Sequence, residues 1–161
     1  MLNRLTLSAV LAATLLSAPA FAAGEHAGGH DEMAVGAPAD PGTSARQIKV
    51  SMTETSGGKM LYTPNQIRVS KGETIRISIT NNGEVPHEFV MDEEAKNQEH
   101  KALMEKFPEM EHDDANAVRL EPGESSDILW TFTNAGKFEF ACLIPGHYEA
   151  GMHGPLIVAG Q

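Results

Sequence analysis

Near the end of the chain stand Cys142, His147 and Met152, a thiol, an imidazole and a thioether with four residues between each and the next. These are soft donors, unlike the carboxylates and carbonyls that suit magnesium or calcium. A further imidazole is available upstream, where Val85-Pro86-His87-Glu88-Phe89-Val90 follows the Asn81-Asn82-Gly83 turn signal. Two His, one Cys and a weak axial Met form the donor set of an electron-transfer copper site. Structural zinc normally takes four Cys or His ligands and leaves no place for a Met. A nucleophilic thiol needs an orienting Asn or Asp and an oxyanion site, which nothing near Cys142 supplies. Taken singly, a loop Met packs, a His is solvated and a Cys is a small buried hydrophobe. Together on one strand-loop-strand unit they point to a metal held by His87, Cys142, His147 and Met152.

Aiming four side chains at one point requires a rigid frame. Phe138, Phe140 and Cys142 alternate with other residues, which places Cys142 at the end of a strand on its inward face. Pro145-Gly146 turns the chain outward, and Gly151 turns it again before a last strand over Pro155 to Val158. The same period of two recurs at Ile48, Val50 and Met52, at Ile67 and Val69, and at Ile75, Ile77 and Ile79. Ile128, Trp130 and Phe132 repeat it. Turn signals at Ser56-Gly57-Gly58, Lys71-Gly72, Pro122-Gly123 and Asn134-Ala135-Gly136 separate these runs. Seven or eight short strands predict an all-β, Greek-key β-sandwich. One inserted helix is expected from Asp92 to Lys106, capped by Asp92 and ended by Pro108, with Leu103 and Phe107 meeting on one face.

The chain has 161 residues, enough for one domain. Arg4, an apolar run over Leu5 to Leu16 and Ala20-Phe21-Ala22 read as a signal peptide over 1–22, too short in its apolar part to span a bilayer. Residues 23–45 are Gly-, Ala-, Pro- and His-bearing and read as a flexible tail, and the domain is expected over 46–161. Export to the periplasm follows as an expectation, without membrane insertion. Against 12 basic residues stand 22 acidic ones, a net charge of −10 that becomes one unit more negative once Arg4 is removed. Such a surface repels nucleic acid and suits a basic protein partner, such as a cytochrome, while acidity also serves plain solubility. The single cysteine excludes an internal disulfide, and a lone thiol in an oxidising compartment calls for burial or a metal.

At these residues the chain resembles the cupredoxins, over about Arg46 to Ala159. The Cys-x4-His-x4-Met loop is similar in length to those of auracyanin and rusticyanin. Asn81 to Val90 and Phe107-Pro108-Glu109-Met110-Glu111-His112 look like the periplasmic copper-tolerance cupredoxins of the CopI type. The resemblance implies one type 1 copper, no catalysis, and a role in electron transfer or copper tolerance. Sequestration or delivery of copper, with periplasmic copper-handling proteins as partners, is the alternative. Many cupredoxins carry Asn or Ser directly after the first His, where it helps hydrogen-bond the cysteine sulfur. This chain departs from that pattern with Glu88, which takes that side-chain donor out of the expected set.

Other His and Met residues remain. The tail holds His26, His30 and Met33, the helical region His100, Met104, Met110 and His112, and His153 follows Met152. As a set they offer auxiliary copper ligands; singly they read as solvent-facing or packing residues.

Overall fold

The computed structural model describes residues 33–107 and 114–160. The expected signal over 1–22, His26, His30, Met110 and His112 lie outside them. The alternating runs form strands: β1 (Ala37–Pro38), β2 (Arg46–Glu54), β3 (Met60–Thr63), β4 (Ile67–Ser70), β5 (Thr74–Asn81), β6 (His87–Asp92), β7 (Ala117–Leu120), β8 (Ser125–Thr131), β9 (Gly136–Ala141) and β10 (His153–Ala159). One sheet has the order β1-β8-β5-β2-β3 and the other β4-β10-β9-β6-β7. Successive strands repeatedly cross between the sheets, so the two inner faces close on a shared core. The expected β-sandwich with a single short helix is what the described residues form.

β5 shows why. Its Thr-Ile-Arg-Ile-Ser-Ile-Thr-Asn run turns Ile75, Ile77, Ile79 and Asn81 inward and the residues between them toward solvent. These isoleucines meet Trp130, Phe132, Phe89 and Phe140, all fully buried. Each such side chain contributes about 1.5–3 kcal/mol by leaving water. The described residues form ten strands where seven or eight were expected. The additions, β1, β3 and β7, are two to four residues long and fully bury no more than one side chain each, so no period of two registers.

The helix α1 runs Glu94–Lys106 and differs from its expected form in two respects. Asp92 belongs to β6 rather than capping the helix; Glu93 is the cap residue and makes no side-chain cap hydrogen bond. Leu103 and Phe107 are exposed, whereas Asn97 and Met104 face the sheet. The reason lies in what α1 covers. It lies across the outer face of β6 and β9, where Val90, Met104, Ala141 and Leu143 form a second small core. With apolar cover on both faces, β6 is buried from His87 to Met91 and loses the alternation of a half-exposed strand.

The tail boundary also moves. Val35 is fully buried, β1 pairs with β8 at Ala37↔Thr131 and Pro38↔Trp130, and the Trp130 indole donates to the Val35 carbonyl at 3.4 Å. The sandwich therefore begins by Met33, within the stretch read as tail. Pro38 sits on a sheet edge, where its missing N–H costs no ladder bond.

Candidate metal centre

His87 opens β6, Cys142 directly follows β9, and His147 lies in the loop between β9 and β10. The strands bring them together. β6 and β9 pair antiparallel as far as Val90↔Ala141 and then diverge. Beyond that point two side chains take over from the ladder. The Glu88 amide donates to Cys142 Sγ at 3.3 Å, and the Leu143 amide donates to Glu88 Oε2 at 3.2 Å. The sulfur hydrogen bond questioned because Glu88 follows His87 is therefore present. It comes from the backbone, which any residue at 88 supplies, while the Glu88 carboxylate ties down the strand that carries the thiol.

The loop closes by its own hydrogen bonds. Cys142 N donates to the Met152 carbonyl at 3.0 Å, and Met152 N to the His147 carbonyl at 3.1 Å. Gly146 and Gly151 have φ of +87° and +100°, the left-handed backbone that lets the loop turn out and back. Met152 is fully buried opposite Cys142, with Met152 and Cys142 both packed in the main core.

The resulting donor atoms converge. Cys142 Sγ lies 3.4 Å from His147 Nδ1, and His87 Nδ1 lies 3.3 Å from the same nitrogen. His87, Cys142 and His147 present one donor atom each within 4.8 Å of one another, the one such group among the described residues. His87 and Cys142 are buried, and His147 is half-buried at the rim. Burial pushes the Cys142 thiol up to about 12, against the opposing pull of the Glu88 and Ile144 amides. Burial and the nearby His87 lower His147, which keeps its imidazole neutral near pH 7. Two imidazoles beside a thiol that yields its proton to a metal form a ligand cluster.

The sequence model of the copper-binding plastocyanin/azurin family matches residues 48–159. The chain belongs to that family. Among its relatives, the copper-resistant cuproprotein CopI of Rubrivivax gelatinosus is 44% identical over 136 residues, 83% of this chain and 80% of that protein. The protein of the same name in Pseudomonas aeruginosa is 35% identical over 167 residues, 86% of this chain and 90% of the relative. Among solved structures, reduced auracyanin from Roseiflexus castenholzii superposes with a TM-score of 0.59 at 24% identity. It covers 72% of this chain and 98% of its own. Auracyanin B gives 0.60 at 20% identity, over 76% and 94% of the two chains. Both share the cupredoxin fold.

Copper is the cofactor of this cupredoxin, and the donors present fit it: two imidazole nitrogens, a thiol sulfur and the buried Met152 beside them. The other His and Met residues do not join the cluster. Met104 is buried under α1 and Met33 packs against the core. His100 lines a surface cleft with Asp92 and Asn116. His153 is exposed and stacks on Tyr148, ring centroids 4.2 Å apart.

Three supports escaped the sequence reading. Tyr62 is buried, edge-on to Phe89 and Phe140, and its hydroxyl donates to the Glu88 carbonyl. Glu139 is a buried carboxylate that accepts from Tyr148 at 2.8 Å and from Asn97 at 3.0 Å, fastening α1 to the ligand loop. Lys101 adds an ion pair to Glu149 at 2.6 Å. The third is Glu54, 2.7 Å from His87 Nε2. None carries a periodic signal, because the partners lie between nine and 48 positions apart in sequence.

Proposed function

We propose that this chain is an exported, non-catalytic type 1 copper protein, whose metal would be held by His87, Cys142, His147 and Met152. Its role is periplasmic copper tolerance, worked through the Cu(II)/Cu(I) couple. The carrying observation is the buried, converging His87–Cys142–His147 donor set, its sulfur held by the Glu88 amide. Copper in such a site supplies a one-electron couple. The protein's part is to hold His87 at the start of β6, the sulfur just past β9 and His147 in a hydrogen-bonded loop, so that little rearranges when an electron moves. The apolar core beneath keeps water out. His147, half-buried at the rim, is the ligand through which an electron reaches the surface. The name borne by the relatives supports the tolerance role. The net charge of −10 favours a basic redox partner such as a cytochrome.

One equivalent of Cu(II) added to the metal-free protein should give an intense visible charge-transfer band, because only a short copper-thiolate bond produces it. Stoichiometric uptake without colour would overturn the type 1 reading. Replacing Met152 by Leu would remove a weak thioether donor but keep an apolar side chain of similar volume in a fully buried position. Colour should persist and the reduction potential should rise, as voltammetry would record. Loss of copper binding in Met152→Leu would show that the thioether is a principal bond.

A further inference from the structure

His87 is wholly buried, and each of its ring nitrogens meets a different group. Nδ1 faces His147 and the thiol cluster, while Nε2 lies 2.7 Å from Glu54 Oε1. Glu54 is the last residue of β2, across the sandwich edge from the ligand loop. Its carboxylate is held by more than the imidazole: the Glu84 amide donates to Oε2 at 3.0 Å and the Val85 amide to Oε1 at 3.3 Å. The turn leaves room for it by having no side chain at Gly83, where a Cβ would fall 2.5 Å from both carboxylate oxygens. The turn leading into His87 is thus folded around this carboxylate. Backbone N–H donors thus occupy both of its oxygens.

We propose that Glu54 is a positioning residue for the copper site, fixing His87 as the Nε2–H tautomer and biasing the metal toward Cu(II). The inference rests on the type 1 reading. An ionised carboxylate only accepts, so Nε2 must donate and Nδ1 must carry the lone pair. A carboxylate on the distal N–H also makes an imidazole a stronger donor, and its negative charge stabilises the more positive metal state. Both effects favour Cu(II) and lower the potential.

Glu54→Gln keeps the shape and removes the charge. It should weaken Cu(II) binding relative to Cu(I) about tenfold, raising the potential by about 59 mV while the visible band persists. Gly83→Ala, which drives a Cβ into the carboxylate, should shift the potential the same way. Asn82→Ala serves as the structural control. It breaks the Asn82–Ser51 hydrogen bond of 2.7 Å between the same turn and β2 without touching Glu54, and should leave the potential in place. A Glu54→Gln shift no larger than that of Asn82→Ala would overturn the proposal. In the metal-free protein, nitrogen chemical shifts should show His87 protonated at Nε2, and Glu54→Ala should release a mixture of tautomers. A wild-type His87 protonated at Nδ1 would sink the proposal independently of any copper spectrum. A colourless copper-loaded wild type would instead sink the type 1 reading.

Discussion

Cys142→Ser is expected to abolish the visible band of the copper-loaded protein completely while leaving the sandwich folded. The sulfur accepts the Glu88 amide at 3.3 Å, and a serine hydroxyl can accept the same N–H, so no buried donor is orphaned. The substitution removes what no other group here supplies, a thiolate bond to the metal. Copper held afterwards by His87 and His147 alone would be colourless and weakly bound. The wild-type thiol also sets a pH dependence with a definite sign. Burial lifts it to about 12, so the metal-free protein holds it protonated and copper binding expels that proton. Below about pH 12 this thiol should therefore cost about tenfold in copper affinity for each unit the pH falls. Absorption titrations at several pH values would record it, and affinity independent of pH would show that the thiolate is not a ligand. The same variant tests the role. If tolerance works through the Cys142 site, wild type should restore copper resistance to a strain lacking this protein and Cys142→Ser should not. Equal restoration would place tolerance in other residues.

How far the site could be read in advance follows from what each residue's neighbours are. Cys142, His147 and Met152 lie on one short segment, and their spacing alone implied a loop that leaves and re-enters a sheet. His87 was found because a turn signal and an apolar strand flank it. The supporting contacts are of another kind. Glu54 meets His87 across 33 positions, Tyr62 meets Glu88 across 26, and Asn97 meets Glu139 across 42. No periodicity links them, and each looks in sequence like an ordinary polar residue of a strand or helix. The misreading of α1 has the same origin. Leu103 and Phe107 are its obvious apolar pair, but the face it presents to the sheet is fixed by Met104 over Val90 and Leu143, and by Asn97 bonded to Glu139. Even the doubt over Glu88 came from counting side chains, whereas the hydrogen bond to sulfur belongs to its backbone.

The start of the domain offers the second large effect. Ala-Val-Gly-Ala-Pro within a Gly- and His-bearing stretch has too few apolar residues to announce a buried element, yet Val35 and Gly36 are both buried. Asn134 donates to the Ala34 carbonyl at 3.2 Å, while Trp130 donates to that of Val35, closing the edge of β8 over the core. Gly36 passes so close that an added Cβ would lie 2.1 Å from the Thr131 carbonyl oxygen and 2.8 Å from the Trp130 indole nitrogen. A protein beginning at Ala39 should therefore be less stable than one beginning at Met33. Burial of Val35 contributes about 1.5–3 kcal/mol, and the lost hydrogen bonds add about 1 kcal/mol between them once water replaces the partners. The sum, about 3 kcal/mol, should lower the thermal midpoint by roughly 10 °C, measured by circular dichroism on the two metal-free proteins. Both should still turn coloured with copper, because Val35 precedes β1, which pairs in the sheet opposite the one whose β6 and β9 lead to His87 and Cys142. Equal midpoints would return residues 33–38 to the tail and put the start of the domain at Arg46.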